Sequence, residues 1–174
     1  VLETQATSVV SMIYLGMAIA SPVIGLASRR VSVETLIQWG TGLAFLILTM
    51  SLYISVKPFA VLYGLLFFSG VTISVYQLSF AIVAQIFPDK VQGTAMGLTN
   101  MLAMMGGLLL QPFIGLLLSY RVGGAVFDGI ESYTIEDYRV VLGVLPICIL
   151  IAFCLSLFFK DPQEKLFQST IKVS

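Results

Sequence analysis

The 174 residues are 58% hydrophobic and 10% charged, a composition too apolar for a domain that must face water on all sides. There is no histidine, so a His-based metal site or a Ser-His dyad is excluded within these residues. Net charge is zero, which names no partner until the charges are placed on sides; no metal, cofactor or nucleic acid is expected.

The charges leave five gaps: Glu3 to Arg29, Glu34 to Lys57, Lys57 to Asp89, Lys90 to Arg121 and Arg139 to Lys160. Each is about as long as, or longer than, the roughly 20 residues that a helix needs to cross hydrocarbon. A charge at a helix centre costs on the order of 3 kcal/mol, so the pattern predicts five spanning helices, at about 6–28, 33–54, 58–87, 90–120 and 139–159. If the ends alternate, one side holds Arg29, Arg30, Lys90, Lys160, Lys165 and Lys172 and the other Lys57, Arg121 and Arg139. The richer side is then cytoplasmic, and Asp128, Glu131, Glu136 and Asp137 face outside. The first span would be entered from outside, and the chain starts at Val1 without a signal peptide; both lead to the expectation that upstream residues are missing.

In chain order, the first span carries a stripe of Thr7, Ser11, Tyr14, Ala18, Ser21, Gly25 and Ser28 in steps of four and three, expected to pack against protein. Pro22 frees the carbonyl of Ala18 and should bend this helix. The second span has Trp39 and Tyr53 near its two interfaces, Glu34 in its first turn, and a middle that should face lipid. The third is polar on two faces, Ser69, Thr72, Tyr76 and Ser79 on one, Gly70, Ser74, Gln77, Ala81 and Ala84 on nearly the opposite one, and belongs among other helices, beside water or not.

The fourth span begins after Phe87-Pro88, with Asp89 as the expected N-cap and Gln92 completing a capping box. Gly93, Gly97, Asn100, Met104, Gly107, Gln111 and Gly115 form one face suited to close packing in lipid, while Gly106, Gly107 and Pro112 mark a weak point where bending concentrates, a candidate hinge. After a long loop from Arg121 to Tyr138, Thr134 and Asp137 can cap the fifth span. That span is almost wholly apolar; Cys148 and Cys154, six residues apart on different faces, read as buried thiols rather than a bridge. The third and fourth spans, richest in polar residues, are expected deepest in the bundle; the second and fifth outermost, with Ile149, Phe153 and Leu157 in lipid.

Two turns carry a resemblance. Gly25-Leu26-Ala27-Ser28-Arg29-Arg30 resembles the G-x-x-x-D-R turn, and the run from Gln85 through Pro88 and Gln92 to Gly97 the E-x-F-P-x-x-x-R-G-x-x-x-G turn, of the major facilitator superfamily. Both lie in order at the right span boundaries, so the chain is similar to spans eight to twelve of that family's twelve. The resemblance implies an all-α membrane fold, five helices of a six-helix bundle, partnered by a missing N-terminal half. The motifs' Asp, Glu and Arg are here Ser28, Gln85 and Gln92, so the charged clamp that the family closes at the cytoplasmic ends becomes a neutral one.

The function implied is a secondary transporter of the inner membrane of bacterial type, moving a small solute by alternating access, with a coupling proton or ion. On that resemblance the third span lines the cavity, and Thr72, Tyr76 and Ser79, then Gln77 and Asn100, are its candidate residues; back-bonding to helix carbonyls is the competing role for the hydroxyls. Helix packing is expected at Gly93, Gly97, Gly107, Ser21 and Gly25. No charged residue lies within the spans, so any coupling carboxylate or anion clamp comes from outside this chain, and an enzyme is not expected. The alternative is a non-transporting membrane subunit, or a truncated remnant, whose stripes serve assembly alone.

Overall fold

The computed structural model describes residues 2–54, 59–122, 126–127, 130–131 and 133–159. Lys57, Asp128, Lys160, Lys165 and Lys172, which enter the sidedness count, lie outside them. Helix α1 is Leu2–Ala27, α2 Val33–Tyr53 and α3 Phe59–Ile73; a 3₁₀ turn, Ser74–Gln77, leads into α4, Leu78–Ile86, and α5 runs Asp89–Val122. A two-residue antiparallel hairpin, β1 Val126–Phe127 with β2 Ile130–Glu131, interrupts the long loop before α6, Ile135–Leu142, and α7, Val144–Ser156. Among the described residues five stretches are long and apolar enough to cross a membrane: Thr7–Ala27, Val33–Tyr53, Ala60–Ile86, Asp89–Arg121 and Ile135–Ser156. The fold is an all-helical membrane bundle, as the charge pattern predicts.

The third span is central. α3 packs against α1 on one side and α2 on the other, and α2 carries α7 on its far face. Glycine makes these contacts close. A Cβ added to Gly16 of α1 would fall on the carbonyl oxygen of Phe67, and one added to Gly70 of α3 on the carbonyl oxygen of Ile13. Each glycine thus receives the other helix's backbone, the small-residue contact that membrane helices use in place of a hydrophobic drive. Gly40 of α2 similarly receives Val75, and Gly42 receives the Phe153 ring, 3.1 Å from where a Cβ would sit. Val33, Val75 and Leu78 form the buried centre, with Ile24, Leu36, Ile37 and Ile82 packed on it.

Depth follows polarity for the third span and fails for the fourth. In the most apolar window of each span, 33% of residues are buried in the third and 6% in the fourth. α5 touches α4 at one end and α6 at the other and leans free between them. Its outer end is tied down by Arg121 Nε, 2.8 Å from Asp137 Oδ1. There Thr134 and Asp137 form the expected capping box: Asp137 N–H donates to Thr134 Oγ1 at 3.2 Å and Thr134 N–H to Asp137 Oδ2 at 3.0 Å.

The fifth span starts at Ile135, earlier than expected, and turns through Gly143, whose N–H still donates to Arg139 and Val140 carbonyls at 3.2 Å. Its outward face is Ile147, Ile151, Leu155 and Phe158. Leu157 is exposed as expected, but Ile149 and Phe153 are half-buried, Phe153 because the gap at Gly42 takes its ring.

Candidate functional site

Because α5 leans away between its two anchored ends, a cavity of about 1070 Å³ opens between its inner face and the 3₁₀ turn of the third span. Tyr76 enters from the turn; Asn100, Met104, Gly107 and Gln111 line it from α5. No lining residue is charged, so the wall offers a phenol, two amides and polarisable methionine surface. It can hydrogen-bond a neutral polar group and pack against apolar parts of a ligand. Tyr76 is 45% exposed, and its ring meets Phe80 edge-on at a centroid distance of 6.5 Å.

The five expected cavity residues separate. Tyr76 and Asn100 share the cavity; Thr72, Gln77 and Ser79 do not line it. Thr72 is buried and donates to the carbonyls of Ser69 at 3.0 Å and Phe68 at 3.1 Å. The Ser79 hydroxyl donates to the Tyr76 carbonyl. Gln77 turns to α1, its Nε2 donating to Ser21 Oγ at 2.7 Å, while Ser21 itself donates to the Met17 carbonyl at 2.6 Å. The reason is the turn. Four residues at about 120° each rather than 100° rotate the helix beyond them by roughly 80°, so a face drawn with α-helical spacing from Thr72 to Ser79 does not survive.

The glycines of the expected packing stripes find no partner among the described helices. At Gly25, Gly93, Gly97 and Gly107 an added Cβ would meet nothing within 4 Å, and Ala18 is exposed as well. Each of these glycines fronts open space, Gly97 and Gly107 that of the cavity itself, while α1 packs through Ile13, Gly16 and Ala20 instead. Of that set only Ser21 makes an interhelical contact, through Gln77. Gly106, Gly107 and Pro112 lie inside an unbroken α5; the stretch that leaves α-helical geometry is Ser74–Gln77.

The two motif turns come together at the end expected to be cytoplasmic. Gln85 borders the α1–α2 turn, sharing a cavity with Ser28, Arg29 and Arg30. Gln92 does not close a capping box with Asp89. Its Nε2 reaches across Pro88 to the Ala84 carbonyl at 2.7 Å, satisfying an end group of α4, and Pro88 supplies the carbonyl that starts α5, accepting from Gln92 N–H at 3.1 Å. Gln92→Ala should therefore cost about one neutral hydrogen bond, on the order of 1 kcal/mol, measured as a shift in thermal unfolding with transport little changed; loss of all uptake at normal abundance would contradict this.

Sequence reading missed Gly16 and Gly40, which no stripe contained; Ser69, on the third span's polar face, is buried and its hydroxyl has no hydrogen-bond partner among the described residues. A glycine opposite a backbone carbonyl leaves no mark in one helix read alone; the signal is in the pairing of Gly16 with Gly70. Among the described residues no cluster of His, Cys, Asp or Glu could hold a metal.

No curated protein and no solved structure matches the chain. The family model for the Major Facilitator Superfamily matches residues 2–172, nearly the whole length, and covers both motif turns and the cavity between them. Five apolar spanning helices, the two turns joined at one membrane face and that match together place the chain in the major facilitator superfamily of membrane transporters.

Proposed function

We propose that the chain forms part of the C-terminal bundle of a secondary transporter, and that the face of α5 opposite Tyr76 borders the path of a small solute. The observation that carries this reading is the cavity itself: inside an apolar membrane bundle, Tyr76, Asn100 and Gln111 present hydrogen-bonding groups to an opening rather than to one another. Hydrocarbon does not reward such a face, whereas a water-filled path does. The open faces of α1 and α5 suit cover by the helices of the other half, and ions or protons that drive transport are handled there, since the described spans offer no mid-membrane charge. Bending of α5 around Gly106, Gly107 and Pro112 would widen the cavity toward the outside.

The experiment is solute accumulation by the full-length protein in proteoliposomes, with an imposed proton or sodium gradient, across sugars, amino acids and organic acids. Gradient-dependent accumulation of one class supports the reading. A folded, correctly inserted protein that moves none of them and binds none in a thermal-shift screen contradicts it and favours an assembly role.

A further inference from the structure

We propose that the turn joining α1 to α2 binds the phosphate headgroup of an anionic phospholipid from the leaflet at that end of the spans. A cavity of about 240 Å³ lies between this turn and the end of α4, lined by Ser28, Arg29, Arg30, Ser32 and Gln85. Both arginines are exposed, and neither has an ion-pair or hydrogen-bond partner for its side chain among the described residues. The cavity's other polar groups are neutral, and its two serine hydroxyls are occupied. Ser28 Oγ donates to the Gly25 carbonyl at 3.0 Å, and Ser32 Oγ accepts the Thr35 N–H at 3.3 Å and lies 2.7 Å from the Thr35 hydroxyl. The acid nearest in sequence, Glu34, accepts from Gln38 Nε2 at 3.3 Å along α2.

Two neighbouring guanidinium groups with no carboxylate between them repel each other, and their planar forks match a phosphate better than any single point charge does. The place selects the source. α1 ends at Ala27 and α2 begins at Val33, both of them spans, so the turn between them sits at headgroup depth, where lipid phosphate is the concentrated anion. Basic residues next to a spanning helix on the cytoplasmic side attract anionic lipid, and the count of charges puts Arg29 and Arg30 on that side. The bound headgroup also has a structural effect: it bridges the α1–α2 turn to Gln85, a contact that neutral Ser28 and Gln85 cannot make as an ion pair.

The test uses the full-length protein in detergent, with dioleoyl phosphatidylglycerol as probe, dioleoyl phosphatidylcholine as the neutral control and inorganic phosphate as the soluble competitor, read by native mass spectrometry and by the shift in thermal unfolding. The parent protein should retain and be stabilised by phosphatidylglycerol over phosphatidylcholine. The Arg29→Gln, Arg30→Gln double variant should bind it roughly thirtyfold more weakly. Gln85→Glu, which supplies an internal carboxylate while leaving both arginines in place, should weaken it as well and serves if the double variant does not fold. No preference in the parent, unchanged binding in a folded variant, or displacement of the lipid by inorganic phosphate at matching concentration would each overturn the proposal, the last by making the site one for soluble anions. None of these readouts depends on transport.

Discussion

Gly70→Ala is expected to lower the stability of the bundle by about 3 kcal/mol, the upper end of ordinary overpacking, and Gly16→Ala to do nearly as much. In both cases the added methyl meets a backbone carbonyl of the facing helix, Ile13 for Gly70 and Phe67 for Gly16. Backbone cannot rotate aside as a side chain can, so α1 and α3 must separate along their whole contact. Gly107→Ala provides the comparison, since nothing lies within 4 Å of its new atom; its cost should stay within about 0.5 kcal/mol. Thermal unfolding and the monodisperse fraction in detergent measure both. A tolerated Gly70→Ala beside a destructive Gly107→Ala would mean that α5, not α3, is the packed helix.

Tyr76→Phe and Asn100→Ala are each expected to weaken half-saturation by solute about tenfold in the full-length protein, with normal abundance. Each removes a hydrogen-bonding group that faces the cavity and that no described residue satisfies, and a bond of this kind lost to a bound polar ligand is worth roughly 1–1.5 kcal/mol. Ser79→Ala should leave half-saturation unchanged, because that hydroxyl is spent on the Tyr76 carbonyl. Equal effects of all three would return the third span to the single polar face that α-helical spacing draws. Transport per folded molecule, measured in proteoliposomes, separates affinity from folding yield.

Spans, their order and the two motif turns were legible in the sequence, because charge avoidance in hydrocarbon costs several kcal/mol per violation and leaves long clean gaps. The centrality of the third span was legible too, from polar residues on two faces: Ser69, Thr72 and Ser74 are all buried. What escaped has one physical cause, that a helix read by itself does not say which side its neighbours occupy. The α5 stripe of Gly93, Gly97 and Gly107 suits close packing, yet no described helix comes within 4 Å of a Cβ added at any of the three. Gly16 and Gly70 look unremarkable singly and matter as a pair. Within the third span, the 3₁₀ turn at Ser74–Gln77 shifted phase between the residues before and after it, so Tyr76 stayed a cavity residue while Thr72 and Ser79 turned to helix carbonyls and Gln77 to Ser21.

The measurement that bears most directly on the central claim, that the inner face of α5 borders an aqueous path, is thiol accessibility in intact membranes. In full-length protein with Cys148→Ser and Cys154→Ser, single cysteines at Asn100, Met104, Gly107 and Gln111 would be reacted with a water-soluble maleimide and compared with Leu46→Cys and Leu155→Cys on the outward faces of α2 and α7. The account predicts rapid labelling at the four α5 positions, slowed by transported solute, and none at the two outer positions. Labelling of the α5 positions no faster than that of Leu46→Cys and Leu155→Cys would place that face in lipid or in a dry contact and contradict it.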